Sequence, residues 1–553
     1  MERHRRARRF RLVSLIVFAG CSAIWLELAS DAQIESDDTW SPILVLNVVE
    51  EATGEWSAAR FSVSVDGRPH EPRWIGPHGL RFVSVHVSKR QTKVVTYARG
   101  TGPVWVPLTP GAKRVKVDVV KGLDYLPVSL ETDVIEESVG ITAGLRRWNR
   151  LREQGWRAAD AHLHYDRIGP EGDRDWFAMM AGDDIAHGQF MTLRGGMVPG
   201  TWARQFAFGE RGEAADNTRT IVAGEEYRDS MQGHVLLFGL SDLIAPIMAG
   251  VPEAPYNFPT LAGVMRQARA TGGLAGIAHG GTFGTSSTAL ADAVEGAADF
   301  LEIANWSWEL WPLDNWYRLL NCGYMLPATA GTDLPNNPRR EPWQPFLGGM
   351  RMYARTGDST GSPAWNEAVR RGETFVSSGP VIEFAANGVG PGGTLCLPAE
   401  GGSVRVSAVL RSPRDLQRLE LVRNGTVVAT ASDQAREGEV HSLRLETEAQ
   451  FDRSGWIAVR GEGAPSLLPG GNEVAHTSAV RVLVDGEPIW SAEDGEALVS
   501  TLQQQRNHYE RSGRYATARD RGEALAVFDQ ALDGLRANAD GTAQRELRPC
   551  PGS

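Results

Sequence analysis

Cysteine is scarce in this chain: four in 553 residues, at positions 21, 322, 396 and 550. Such wide spacing speaks against a disulfide framework, leaves room for one pair, and hands stability to a hydrophobic core. Excess positive charge is also absent, with 57 lysines and arginines against 68 aspartates and glutamates and a net charge of −11. An acidic chain of this kind is poorly suited to nucleic acid, so no nucleic-acid partner is expected. Internal repeats and long low-complexity segments are missing. So are a Ser-His-Asp elbow and a cysteine placed as a nucleophile, which turns attention to metal chemistry.

Long apolar runs are absent except from Leu12 to Leu26, directly after Arg3, Arg5, Arg6, Arg8, Arg9 and Arg11. A basic segment followed by a short apolar one reads as an export signal over residues 1–32, with a single-span anchor the lesser reading. Phe18-Ala19-Gly20-Cys21 has the outline of a lipobox with phenylalanine in place of leucine, so lipid on Cys21 is weighed against cleavage near Asp31-Ala32. The expected location is therefore exported: periplasmic, envelope-attached or secreted, with membrane contact only through the signal or a lipid anchor. Removal of residues 1–32, with six arginines and three acids, takes the net charge to about −14.

What the chain does have is histidine beside carboxylates. Five of its twelve histidines fall between residues 150 and 380: His162, His164, His187, His234 and His279. Asp160-Ala161-His162-Leu163-His164 follows Trp156-Arg157-Ala158-Ala159, which reads as a buried strand, and residues i and i+2 of a strand share a face. Two imidazoles converging at a strand end suit a borderline divalent ion such as zinc, manganese or iron. Further on, Ile221 to Glu226 is an apolar run ending in carboxylates, Gly233-His234-Val235 opens another strand, Leu274 to Gly281 carries His279, and Pro327 to Asp333 ends on an aspartate. Singly, Glu226 reads as a surface carboxylate, His279 as a core histidine and Asp333 as a helix cap. Jointly they read as one metal centre at the C-terminal ends of barrel strands.

These residues resemble the PHP (polymerase and histidinol phosphatase) superfamily of metal-dependent hydrolases, and within it the carbaryl-hydrolase-like CehA/McbA group. Gly224-Glu225-Glu226-Tyr227 with Gly233-His234-Val235, Cys322 to Asp333, and Arg371 to Pro380 are similar to three of that group's longer motifs, and the likeness runs from about residue 40 to the tail. The resemblance implies a distorted (β/α) barrel in which His162, His164, Glu226, His279 and Asp333 hold metal, with Glu226 the bridge if there are two ions. His234 is then a ligand of the second ion or a donor to a developing oxyanion. Catalysis falls to Asp333, His234 and Glu226, through water activated by the metal and directed at an ester or carbamate carbonyl. The chain departs from the superfamily in two places: Ile185 to Met191 lacks the usual Thr-Asp-His, and the final Asp-x-His is reduced to Asp333-Leu334-Pro335. One or two ions are therefore expected rather than three.

The expected architecture is multidomain α/β plus all-β. A β-sandwich over 40–143 shows period-two segments such as Phe61 to Gly67 and Arg114 to Val119. The barrel spans 144–385, with helices expected over Phe258 to Ala270, Trp308 to Leu320 and Pro363 to Arg371. An immunoglobulin-like sandwich over 386–486 contains an Asn424-Gly425 hairpin turn. A helical tail over 487–553 has apolar spacing at Leu498 and Leu502 and from Ala524 to Leu535. Trp306, Trp308, Trp311, Trp316 and Trp343 read as core packing, or, for Trp306 and Trp308, as a wall for a flat apolar leaving group of a small-molecule substrate. Glu302 is a structural carboxylate, an outer ligand or a partner to a ligand; Asp160 orients a ligand histidine or the strand end; His187 is an ordinary helix or loop histidine in preference to one that approaches the site. Two rival functions remain: a phosphoesterase, with Arg194, Arg228, Arg339 and Arg340 as available cations, and a non-catalytic surface binding protein.

Overall fold

The computed structural model describes residues 41–86, 91–195, 200–281, 287–305, 313–335, 347–465 and 471–541. The export signal with Cys21, the tryptophans 306, 308, 311 and 343, Arg339, Arg340 and Cys550 lie outside the described residues.

Alternation builds the first layers. In strand Ile43–Glu50, Leu44, Leu46 and Val48 are buried and the intervening side chains face outward, as a sheet with one wet face requires. Its neighbours are Val104–Pro107, antiparallel, and Ser138–Leu145, parallel. A second sheet centred on Ala58–Val65 contributes Phe61, Val63, Val115, Val117 and Val119 to the same core. The result is a small β-sandwich.

Next come the strands around the candidate ligands: β1 (Trp156–Leu163), β2 (His187–Arg194), β3 (Thr220–Asp229), β4 (Gly233–Phe238), β5 (Leu274–Ile277), β6 (Phe300–Asn305) and β7 (Ala328–Gly331). Pairing is parallel for β1–β2, β2–β3, β5–β6 and β6–β7, and antiparallel for β3–β4 and β4–β5. After β7 the chain returns to β1: Asp333 N–H donates to His162 O at 2.8 Å, and His164 N–H donates to Leu334 O at 2.5 Å. All of β3 and β6 is buried, which fits parallel strands covered on both faces. Helices flank them: α1 (Asp173–Gly182), α2 (Leu261–Ala270), α3 (Ala289–Val294), α4 (Leu313–Asn321) and α5 (Ser362–Arg371). Helix α2 begins three residues later than expected because Thr260 caps it, its Oγ1 accepting from Gly263 N–H. Trp316 on α4 is fully buried and donates to Leu326 O at 2.9 Å, a core role.

A separate four-stranded sheet and a continuation of the sheet that holds β1 to β7 form a second sandwich, with Ile382, Val406, Leu410, Leu421, Leu443 and Val459 among its buried residues. Asn424 (φ 50°) and Gly425 (φ 84°) make the turn between Leu416–Arg423 and Thr426–Ala431, and two positive φ values are what a tight hairpin needs. The junction expected at 385–386 falls inside strand Val381–Ala386. Ser377 Oγ accepts from Gly379 N–H and donates to Pro380 O, making a tight turn there. Thr374–Ser377 also pairs with Asn472–Thr477, so one sheet runs across both regions. The tail is a helical hairpin, α6 (Ala492–Ser512) and α7 (Ala518–Ala539), whose Leu498, Leu502, Phe528, Leu532 and Leu535 join the central core. Cys396 is disulfide-bonded, and Cys322 is a buried thiol.

Candidate metal centre

The site is assembled where β1 meets the end of β7. Asp160 organises the meeting: it accepts from Thr332 N–H (3.0 Å), Thr332 Oγ1 (2.7 Å), Gly348 N–H (2.8 Å) and His162 N–H (3.2 Å). Burial lifts its pKa to about 6 against the pull of those donors. Gly331 makes the approach possible, since a Cβ there would sit 2.4 Å from His162 Cβ and 2.5 Å from its backbone nitrogen. Two residues of the site hold left-handed backbone, His279 (φ 44°) and Asp333 (φ 55°), a conformation that surrounding structure must over-determine in a non-glycine residue.

Every side chain singled out as a ligand from sequence comes to one place. His162, His164, Glu226 and Asp333 form one group, and Glu226, His234 and His279 a second, with the candidate ligand atoms of each within 4.8 Å of one another. The two share Glu226. Its Oε2 lies 3.2 Å from His164 Nε2 and 3.7 Å from His162 Nε2, while Oε1 lies 3.0 Å from His234 Nδ1 and 3.5 Å from His279 Nε2. Asp333 divides similarly, with Oδ1 at 3.1 Å from His164 Nε2 and Oδ2 at 4.0 Å from His279 Nε2.

Hydrogen bonding fixes which nitrogens face inward. His164 Nδ1 lies 3.2 Å from the Met191 carbonyl, which can only accept, so Nδ1 carries a proton and Nε2 is the nitrogen turned to the carboxylates. His162 Nδ1 is held by Glu302 Oε1 at 3.0 Å, and the other Glu302 oxygen accepts from His279 N–H at 2.8 Å. Both oxygens being taken, Glu302 acts as an orienting partner, the usual support for a ligating histidine. A third grouping of His162, His279 and Glu302 also falls within ligand range; the two hydrogen bonds decide for orientation. His162 Nε2, His164 Nε2 and Glu226 Oε1 are buried and make no hydrogen bond. Imidazole nitrogens and carboxylate oxygens buried face to face call for a cation between them.

Charge says the same. Glu226, Glu302 and Asp333 are buried together, and the cation beside them is Arg228, whose Nη2 donates to Glu226 Oε2 at 2.7 Å. Burial opposes ionisation of Glu226, yet Arg228 and the imidazoles hold its pKa well below the ordinary value. Asp333 is held at about 2 by His162 and His164 despite burial. Burial also works against charge on His162, but Glu302 and Asp333 raise its pKa well above the ordinary value. The pocket thus recruits positive charge, and a divalent ion satisfies the same demand as a proton.

Other candidates lie elsewhere. His187 stands on a strand rather than on the expected helix or loop: it opens β2 opposite Ala159, away from the ligand end, and its ring stacks on Trp365 at 4.3 Å; burial lowers its pKa to about 3, so it stays neutral. Arg194 is paired with Glu253 at 3.1 Å. One aromatic neighbour went unread in the sequence: Trp202, whose ring lies 5.7 Å from that of His164. It sits on a two-residue strand, too short to leave a periodic signal. Protein-family models, curated proteins and solved structures were all compared with the chain. None matches. The site therefore rests on its motifs and its geometry.

Proposed function

We propose that the chain is an exported metal-dependent hydrolase of the PHP type, similar to the carbaryl hydrolases, acting on an ester or carbamate bond of a small molecule. On this reading β1 to β7 are a PHP-type barrel. The observation that carries the proposal is the pair of buried, unpartnered imidazole nitrogens, His162 Nε2 and His164 Nε2, facing the oxygens of Glu226 and Asp333. His162, His164, Glu226 and Asp333 would hold one zinc, manganese or iron ion, and Glu226, His234 and His279 a second, with one Glu226 oxygen turned to each. A divalent ion bound there would acidify a water to near-neutral pKa and polarise the scissile oxygen. Asp333, its carboxylate beside His164 Nε2, would orient water by accepting its hydrogen bond. His234 is the most open of the ligand set, its side chain 17% exposed, and so borders the route for substrate. Trp202 offers an indole beside His164 for an apolar leaving group. The Cys396 disulfide fits an oxidising compartment and supports export.

A second reading, phosphoester hydrolysis, draws on Arg228. Its guanidinium is buried against Glu226 with Nε unpartnered, and phosphoryl oxygens seek such a group. A panel of aryl acetates, aryl N-methylcarbamates and aryl phosphates, assayed with added zinc, manganese or iron, separates the two. Carbonyl substrates should turn over, and Asp333→Asn should lower kcat about a hundredfold with a smaller change in KM. Turnover confined to phosphate esters would promote the second reading. No turnover by the metal-loaded protein would overturn both.

A further inference from the structure

Every tryptophan exposed by more than a third among the described residues lies in the N-terminal sandwich, far in sequence from the metal ligands: Trp56 at 44%, Trp74 at 50% and Trp105 at 41%. Register places them on one surface. Trp105 is opposite Val45 on the outward face of strand Ile43–Glu50, and Trp56 bridges Val49 on the same face. Four residues at about 3.3 Å each set Trp56 some 13 Å along the strand from Trp105. Trp74 leans over Trp105, ring centroids 6.3 Å apart and planes at 49°.

Between the indoles apolar Val45 and Val49 are interleaved with polar Asn47 and Thr142, and Glu51 stands beside Gly144 at the Trp56 end. Asn47 Nδ2 donates to Thr142 Oγ1 at 3.2 Å in the row between Val45 and Val49. Gly140 stands beside Val45, and a Cβ there would meet nothing within 4 Å. None of the outward positions on the three strands from 43 to 49, 104 to 107 and 138 to 144 is lysine, arginine, aspartate or glutamate. An anionic lipid surface or a nucleic acid would want cations here. A self-association face would be continuously apolar. Indole planes alternating with amide and hydroxyl groups instead match a sugar chain, whose flat C–H faces stack on aromatic rings while its hydroxyls hydrogen-bond to Asn and Thr.

We infer that this face of the N-terminal sandwich is a saccharide-binding surface, with Trp74 and Trp105 stacking one part of a glycan and Trp56 a part farther along. The inference stands independently of the hydrolase reading, since it uses none of the metal ligands.

The test is affinity electrophoresis of the full chain through gels containing a β-1,4-glucan, a xylan, a galactomannan or an α-1,4-glucan, with pull-down on insoluble chitin and peptidoglycan. At least one polysaccharide should retard the protein. Trp74→Ala and Trp105→Ala should each weaken binding about tenfold, and Trp105→Phe should keep most of it, because the ring face remains. Melting temperature and metal content should match wild type in all three. Retardation by no polysaccharide would overturn the inference, as would binding unchanged in the alanine variants. So would a concentration-dependent dimer lost in Trp105→Ala, or capture by phosphatidylcholine vesicles in place of glycans.

Discussion

Glu226→Gln keeps the shape of the side chain that both ligand groups share and removes its charge. In wild type one oxygen lies 3.2 Å from His164 Nε2 and the other 3.0 Å from His234 Nδ1, so the loss falls on both halves of the site. Two unit charges about 4 Å apart at an effective dielectric near 20 interact by about 4 kcal/mol. That corresponds to roughly a thousandfold in affinity, and an ion carrying two charges has more to lose. The amide oxygen still accepts from Arg228, so the hydrogen bond at 2.7 Å survives and the fold with it. Competition against chelators of graded affinity, read by elemental analysis, measures the change, with circular dichroism as the check on folding. Affinity for at least one ion should fall about a thousandfold and the stoichiometry should drop. Wild-type affinity and stoichiometry in a folded Glu226→Gln protein would refute the shared-carboxylate reasoning.

Three other substitutions probe different links. Arg228→Gln removes the cation beside Glu226, so metal affinity should rise by about tenfold or more; unchanged affinity in the chelator assay would contradict its placement. Gly331→Ala puts a Cβ 2.4 Å from His162 Cβ, which should cost about 1–3 kcal/mol as overpacking and lower metal content, with a wild-type melting curve as the contrary outcome. Asp292 is buried with its pKa raised to about 8, burial being the main cause, and accepts from Thr288 Oγ1 at 2.6 Å. An unfolded aspartate titrates near 3.9. Between about pH 4 and 8 the folded state keeps a proton that the unfolded state releases, so this residue's contribution falls as pH rises. Asp292→Asn should therefore gain on wild type with rising pH, by an amount on the order of a few kcal/mol, levelling off above pH 8. Parallel denaturant midpoints for the two proteins at pH 5, 7 and 9 would refute the assignment.

Much of the site is legible in the sequence because its ligands sit where strand periodicity is simple. His162 and His164 alternate around one buried leucine, and Glu226, His279 and Asp333 each close a short apolar run. His187 resembles them in neighbours but opens its strand, and register with Ala159 puts it at the opposite end. Arg228 carries a readable signal, being two residues from Glu226 and hence on the same strand face, but sequence alone does not say that the face is the metal side. The role of Glu302 depends on hydrogen bonds to His162 and His279, residues 140 and 23 positions away, and spacing cannot reveal those. The hairpin at Asn424-Gly425 is local turn chemistry and reads directly. The junction near residue 385 does not, because a strand pairing between Phe375 and Thr477 is invisible to a composition shift.

The central claim is that a divalent metal sits among His162, His164, Glu226, His234, His279 and Asp333. Crystals of the protein purified without chelator, with anomalous diffraction recorded on both sides of the zinc, iron and manganese absorption edges, would locate it directly. Two anomalous peaks on either side of the Glu226 carboxylate are predicted, one within about 2.0–2.2 Å of His162 Nε2 and His164 Nε2. A map with no peak in this cluster, from protein whose metal content is accounted for elsewhere, would contradict the account.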